Sequence, residues 1–219
     1  NSAVANNVFD HPEDVFIVSE LSEPLISVVA FSYEVPAFSS NRFVRAVVGG
    51  WTFGGMVRYA TGMPIPVPAS QNQLAALVFQ NTTMNRVEGQ PLYIKDLNSN
   101  DVDASADFVL NPAAWANPGP GQFGTYPAYY DDFRYQRRPD EQLSIGRSFR
   151  LKNRARLEIR GEFFNAFNRI QLNNPDAANP LQTQQRNAQG VPTSGFGRIN
   201  TGTVFGPPRS GQIVSRLSW

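Results

Sequence analysis

The residues with the spacing of a known ligand set lie in one acidic stretch. Oxygen-bearing side chains occupy the first, third, fifth and twelfth positions of a calcium-binding loop: Asp96, Asn98, Asn100 and Asp107. Such loops carry glycine at the sixth position and glutamate at the twelfth, whereas this stretch has Asp101 and an aspartate there. These departures favour a solvated acidic surface loop, with calcium binding as the weaker alternative.

Other catalytic and metal-binding patterns are not formed by this sequence. It contains no Cys and a single His, His11, which excludes thiolate zinc sites, cysteine nucleophiles and histidine clusters. Carboxylates surround His11, which is the usual setting of a surface ion pair. No nucleophile elbow, phosphate loop or zinc-protease motif occurs. We therefore expect a protein that is not an enzyme and that binds no cofactor.

Composition excludes further classes of protein. The net charge is +1, so there is no basic footprint for nucleic acid. The longest apolar run, residues 74–79, is far shorter than the roughly 20 residues of a membrane-spanning helix. Seventeen Gly and seventeen Pro argue against a helical bundle, while the 12% aromatic content argues against disorder. A β-rich protein with long loops remains.

Apolar and polar residues alternate with a period of two in five segments, which predicts five strands. The segments are residues 25–35, 50–60, 141–150, 154–164 and 211–219. Two long connections, 61–140 and 168–210, separate some of the strands, whereas a tight turn near residues 151–153 joins the third and fourth. Long loops on one side and short turns on the other are typical of outer-membrane barrels.

One face of the fourth predicted strand carries only charged residues: Arg156, Glu158, Arg160 and Glu162. Four charges on one face need water or each other. They could line a lumen together with Arg58 of the second strand. Alternatively, they form cross-strand pairs on a solvated sheet face, worth about 0.2–1 kcal/mol each.

The opposite faces are aromatic near their ends. Trp51 and Tyr59 bracket the second strand, and Phe149, Phe163 and Trp219 hold comparable places on others. Aromatic girdles bracket the lipid-facing band of membrane barrels in this way. The alternative is the core of a soluble sandwich.

The first long loop is rich in tyrosine. Tyr126, Tyr129 and Tyr130 are candidates for contact with a ligand by stacking. The alternative is that they pack within an ordered loop.

Several motifs follow one another in a specific order and spacing. They are Phe31–Pro36, Gly49–Gly55, Arg58–Pro64, Asn111–Trp115, Arg147–Leu151, Leu157–Asn168, Ser194–Ile199 and Pro207–Arg209. In these motifs the chain resembles the C-terminal β-barrel portion of a TonB-dependent outer-membrane receptor of the Oar-like branch. The resemblance spans about residues 31–219.

This resemblance implies an all-β fold: antiparallel up-and-down strands of an outer-membrane-type barrel with long extracellular loops. It implies localisation in the bacterial outer membrane and uptake of a nutrient too large for porins. The implied partners are outer-membrane lipid, the rest of the receptor barrel and its plug, and the TonB complex only indirectly.

Two departures from the family pattern shape the expectation. Such receptors usually end on Phe, whereas this chain ends on Trp219. The chain also supplies only five or six strands, whereas the smallest bacterial barrels have about 8, and nothing in it corresponds to the family's plug. We therefore expect residues 1–219 to be a single barrel segment without a plug domain.

Two alternatives remain open. A β-rich fragment could self-assemble with further copies of itself through open strand edges, giving an extracellular fibre or tube. A soluble sandwich could instead bind carbohydrate through its loop tyrosines.

Overall fold

A computed structural model of the chain describes residues 18–36, 40–72, 82–124, 127–151, 155–202 and 206–219. The strands in these ranges are β1 (Ile26–Glu34), β2 (Trp51–Ala60), β3 (Pro64–Pro66), β4 (Asn85–Arg86), β5 (Trp115–Ala116), β6 (Tyr129–Arg134), β7 (Asp140–Arg150), β8 (Arg156–Phe164), β9 (Gln185–Arg186), β10 (Pro192–Ser194) and β11 (Ser210–Ser218). One α-helix, α1 (Arg42–Val48), and a 3-10 turn at Pro112–Ala114 complete the described elements. The predicted all-β class is confirmed.

The five longest strands form one antiparallel sheet in the order β1-β2-β7-β8-β11. Their bounds differ from the five predicted segments by at most two residues at either end. The sheet is an up-and-down meander, because each of these strands pairs with the next one along the chain. Alternation of apolar and polar residues was therefore sufficient to locate every strand of this sheet.

The connections of this sheet leave from two distinct ends. Residues 35–50 and 151–155 join β1 to β2 and β7 to β8 at the end where Trp51 and Arg147 are partners, here called the turn end. The longer connections 61–139 and 165–209 leave from the opposite end, here called the loop end. This arrangement agrees with the asymmetry that the sequence predicts.

The sheet is not a closed barrel. Within the described ranges, no further strand pairs with the outer edge of β1 or of β11. In the same part of the chain, no helix is long and apolar enough to cross a bilayer.

The chain divides into two compact units. The sheet unit comprises Leu25–Ala60, Arg138–Gln171 and Gly206–Trp219. The loop unit comprises Asn1–Pro24, Thr61–Arg137 and Leu172–Phe205. The sequence predicts a single segment with two long irregular loops, and the structure differs because those loops combine into a unit with its own core.

The core of the loop unit draws on distant parts of the chain. Its buried apolar residues are Ile65, Val67, Met84, Leu92, Leu97, Val109, Leu110, Ala114, Trp115, Phe133, Ala177, Phe196 and Ile199. The rings of Trp115 and Phe133 lie 5.3 Å apart, a separation typical of a favourable aromatic pair. Because these residues follow neither a helical nor a strand period, pattern reading could not reveal this core.

Tyr93 ties two segments of the loop unit together. Its hydroxyl donates to the carbonyl oxygen of Arg134 at 2.8 Å and accepts from the Arg134 amide at 2.5 Å. Burial raises the pKa of Tyr93 to about 12, so the hydroxyl stays protonated and keeps both bonds at physiological pH.

We expect Phe133→Ala to lower the free energy of unfolding of the loop unit by about 3–5 kcal/mol, because it empties a fully buried site. Leu181→Ala, at an exposed position of the same unit, is the matched control and should cost less than about 0.5 kcal/mol. Denaturant unfolding of the full chain, followed by tryptophan fluorescence, measures both. Equal losses would contradict a core centred on Phe133.

Candidate functional site: two faces of the sheet and the loop unit

The strand register brings the predicted apolar positions of all five strands onto one side of the sheet. Directly paired residues share a face. The members of this apolar face are Val29, Phe31 and Tyr33; Trp51, Phe53, Gly55, Val57 and Tyr59; Glu141, Leu143, Ile145, Arg147 and Phe149; Leu157, Ile159, Gly161 and Phe163; and Gly211, Ile213, Ser215 and Leu217.

Most large side chains of the apolar face are exposed. Phe31, Tyr33, Ile159, Phe163 and Ile213 all have large exposed fractions. An exposed apolar surface of this extent marks a protein or membrane contact. The face is therefore a candidate interaction surface.

The other side of the sheet, the polar face, is made mostly of charged, hydroxyl-bearing, amide and small residues. Its members are Ile26, Val28, Ala30, Ser32 and Glu34; Thr52, Gly54, Met56, Arg58 and Ala60; Asp140, Gln142, Ser144, Gly146, Ser148 and Arg150; Arg156, Glu158, Arg160, Glu162 and Phe164; and Ser210, Gln212, Val214, Arg216 and Ser218. The five charged lumen candidates from the sequence thus lie together on this face.

The charges of the polar face are matched by neighbours. Arg160 and Glu162 form an ion pair at 2.8 Å along β8. Glu162 also accepts from the side-chain amide of Gln212 on β11 at 2.5 Å. Opposite charges face each other across the register at Glu158 and Arg216. The ion pair thus runs along β8, and the cross-strand contact of Glu162 is a hydrogen bond from a neutral amide. Both the lumen role and the solvated, paired face remain predictions.

Arg58 and Arg156 lie on the same face but have different register partners, because Arg156 is opposite Arg150, a like charge. Arg58 is the direct register partner of Asp140, so opposite charges meet there as well. Arg156 donates from Nε to the Ser148 hydroxyl at 2.9 Å. All five predicted residues thus lie on the polar face, each beside a polar group of a neighbouring position or strand.

A depression of about 330 Å³ lies on the sheet. The residues that line it include Gly54, Ser144, Gly146, Arg156 and Arg160. It exists because glycine and serine leave space between the long charged side chains. The arrangement can hold water or a polar group of modest size.

At the turn end, one cation lies on the apolar face. The Arg147 guanidinium stacks over the Trp51 ring at 5.4 Å and over the Phe149 ring at 5.0 Å. Cation–π contact with two rings stabilises a charge at an apolar boundary. Two of the predicted girdle residues are thereby joined through an arginine.

At the loop end, a buried carboxylate lies on the same face. The Glu141 side chain has no exposed area, and it accepts from the Tyr59 hydroxyl at 3.0 Å and from Arg169 Nε at 2.5 Å. Hydrogen bonding to Glu141, against the opposing effect of burial, raises the pKa of Arg169 above its ordinary value. The girdle candidate Tyr59 thus has its ring on the apolar face and its hydroxyl in an ionic cluster.

Sequence reasoning missed the Glu141 cluster. Strict alternation from Leu143 places Glu141 on the apolar face. An acidic residue at an apolar-face position was the signal available in the sequence, because such a group needs a partner there. Arg169 follows β8 in an irregular segment, so no periodicity could assign it as the partner.

The remaining girdle candidates differ from a simple ring. Phe163 is next to the last residue of β8, yet through the register it is level with Gly55 in the middle of β2, because neighbouring strands are staggered. Trp219 lies just beyond β11 and is 92% exposed.

In the stretch proposed as a calcium site, the side-chain oxygens of Asp96, Asn98 and Asp107 accept hydrogen bonds from other residues of the loop unit. Asp107 forms an ion pair with Lys95 Nζ at 2.7 Å. Asp96 accepts from the backbone amide of Asn98, and the side-chain oxygen Oδ1 of Asn98 accepts from the backbone amide of Arg137. These contacts engage three of the four candidates within a folded acidic loop that has an ammonium beside Asp107.

The loop tyrosines have packing roles where the structure describes them. Tyr130 packs beside Trp115 at 6.2 Å, and the Arg86 guanidinium lies 5.1 Å above its ring. Tyr129 donates to Glu20 at 3.3 Å; burial, followed by the Glu20 charge, raises its pKa. Tyr126 lies outside the described residues, as do His11 and residues 74–79. Of the two alternatives for Tyr130, packing within the loop unit agrees with its contacts.

Comparison with known protein families decides the class. A family model described as an outer membrane beta barrel domain matches residues 7–212. The chain belongs to this family. Comparisons with curated proteins and with solved structures gave no match.

Membership in this family explains why the sheet has one apolar face and one polar face. An outer-membrane β-barrel domain resides in the bacterial outer membrane, and its strands alternate between apolar and polar residues. The part of the resemblance that concerns an outer-membrane β-barrel is confirmed.

The packing of this β-barrel domain depends on a close approach at Gly55. A Cβ atom there would lie 2.8 Å from the Gln142 carbonyl oxygen and 2.9 Å from Phe31 Cζ, whereas a Cβ at Gly161 would meet nothing nearer than 3.8 Å. We expect Gly55→Ala to destabilise the protein by about 1–3 kcal/mol through overpacking. Gly161→Ala is the control and should be neutral or stabilising by about 0.4–1 kcal/mol. Urea unfolding in lipid vesicles compares the two, and a Gly55→Ala variant as stable as Gly161→Ala would refute the close approach.

The Lys95–Asp107 pair should stabilise the loop unit at neutral pH and lose this effect in acid. Burial opposes the ionised form, but bonds from Lys95 and the Asp103 amide outweigh it and hold the pKa of Asp107 below its ordinary value of 3.8. Because the pKa of Asp107 is lower in the folded chain than its ordinary value, the ionised carboxylate stabilises the fold above that ordinary value. The stabilisation is lost as the pH falls through the lowered pKa.

We therefore expect Lys95→Met to reduce stability by about 0.2–1 kcal/mol at pH 7, because Lys95 is partly exposed and screened. The deficit should diminish as the pH falls through the lowered pKa of Asp107. Lys95→Arg, which retains the cation, should behave like the native chain. A deficit independent of pH would show that Lys95 acts through packing instead.

Proposed function

We propose that this chain forms the C-terminal barrel wall and surface loops of a TonB-dependent outer-membrane transporter that takes up a large nutrient. The observation that carries the proposal is the register, which aligns one exposed apolar face across five strands and gathers the charged residues of β8 on the opposite face. Membership in the outer-membrane β-barrel family supports a membrane setting. The order of motifs from Phe31 to Trp219 supports the TonB-dependent branch.

In this proposal, the apolar face contacts outer-membrane lipid, and the polar face lines the lumen. Trp51, Tyr59, Phe149, Phe163 and Trp219 act as girdle residues. Water in the lumen solvates the charges of Arg160 and Glu162, and each of these two side chains also has a polar partner close by.

The loop unit supplies the external mouth. Both long connections leave the same end of the sheet, and their residues fold into a unit with a substantial core. A preformed unit loses less conformational entropy on binding than a disordered loop does. It therefore suits capture of a large solute, while the plug and the TonB complex are partners of the whole receptor. The chain itself has no catalytic role in this proposal.

Uptake in cells tests the transport function. Cells that express the native protein containing this chain are given labelled oligosaccharides and oligopeptides too large for porins. We expect at least one to accumulate, and we expect accumulation to stop when an ionophore collapses the proton-motive force or when TonB is deleted. Accumulation that persists under both treatments would contradict energised transport.

A second candidate is self-assembly into an extracellular fibre or tube. The observation that favours it is the open outer edges of β1 and β11 within the described residues, since unpaired edges recruit further strands. The native mass distinguishes the candidates. A detergent-solubilised species much heavier than 24.3 kDa that is one continuous chain supports the receptor, whereas a detergent-free polymer of 24.3 kDa subunits supports assembly.

A further inference from the structure

The connection between β1 and β2 at the turn end contains a helix that a simple barrel turn does not need. Helix α1 has the sequence Arg-Phe-Val-Arg-Ala-Val-Val. Its start is capped by the Asn41 side chain, which accepts from the Phe43 amide at 2.9 Å. An isolated helix of this length is marginal in water, so contacts outside the helix must stabilise it.

The C-terminal end of α1 is tied to the apolar face of the sheet. The Trp51 indole donates to the Val47 carbonyl oxygen at 2.9 Å, and the Arg147 guanidinium donates to the same oxygen at 3.3 Å. A cation beside the last carbonyls also complements the helix dipole. The same Trp51 and Arg147 belong to the apolar face, so the helix is continuous with that surface.

The helix presents an exposed apolar stripe. Phe43, Val44, Val47 and Val48 are spaced three and four residues apart, and all four are exposed, Phe43 by 85%. The remaining residues of the helix include two arginines, Arg42 and Arg45. A short amphipathic helix with an apolar stripe and basic residues has the composition of an element that lies in a membrane interface.

We infer that α1 is an interfacial anchor that inserts its apolar stripe into the phospholipid headgroup region beside the sheet. This inference rests on the proposed contact between the apolar face and lipid. Interfacial helices bury their apolar side about 5–10 Å into the headgroup and acyl boundary. The anchor would fix the depth of the barrel wall at its turn end, where Trp51 and Arg147 hold the helix.

The occupant is lipid because the stripe is continuous with the apolar face. Trp51 and Arg147 of that face hold the end of the helix, and the face is exposed in a protein of the outer membrane. Capture by a soluble protein partner is the alternative outcome of the test.

Depth-resolved quenching tests the anchor. The chain has no native cysteine, so Phe43→Cys and, in a second variant, Val47→Cys can each carry one fluorescent label in the full chain reconstituted in phospholipid vesicles. Ile159→Cys reports on the apolar face, and Gln189→Cys, in an exposed turn of the loop unit, is the aqueous control.

We expect lipids brominated near the headgroup to quench the labels at 43 and 47 several-fold more than the label at 189, and aqueous iodide to give the reverse order. Iodide quenching at 43 and 47 equal to that at 189, or protection from both quenchers, would overturn the anchor. If Ile159 is quenched by lipid in that case, the proposed wall stands and only the anchor fails. If lipid quenches none of the four, the proposed function fails as well.

Discussion

Strand register is the constraint on which the rest of this structure depends. Side chains of a strand alternate between two faces, so a slip of one residue would move every apolar residue of that strand to the polar side. Here all four pairings keep the same phase, from Phe31 on β1 to Ile213 on β11. One face is therefore mostly apolar, and the charged residues of β8 lie together on the other. A membrane wall needs this separation, because lipid cannot satisfy charges and water does not favour an apolar band.

The exceptions to this separation lie near the ends of the sheet and are compensated there. Arg147 is on the apolar face, but two aromatic rings and the end of α1 surround it. Glu141 is on the same face, and Tyr59 and Arg169 supply its hydrogen bonds. Burying a carboxylate without partners would be costly. Both groups thus mark places where the apolar band gives way to polar surroundings.

Sequence alone predicted the sheet well and the loop unit poorly, for a physical reason. Period-two alternation is a local signal, so each strand and the charged set Arg156–Glu162 could be read directly. The core around Phe133 and Phe196 joins residues far apart in the chain and follows no period. The roles of Tyr130 and Asp107 depend on such distant or irregular neighbours, Trp115 and Lys95 among them. Helix α1 was also missed, because seven residues between two strands carry little periodic signal.

The most direct test of the two-faced wall is a cysteine scan along β8, from Leu157 to Phe163, in the native protein in its membrane. Each single cysteine carries a spin label, and collision rates with oxygen, which partitions into lipid, and with a water-soluble paramagnetic complex are measured. The account predicts two curves with a period of two and opposite phase: oxygen contact peaks at 157, 159, 161 and 163, and contact with the water-soluble complex peaks at 158, 160 and 162. Protection of Leu157 and Ile159 from both reagents would mean that a second protein layer covers the apolar face, and it would contradict the account.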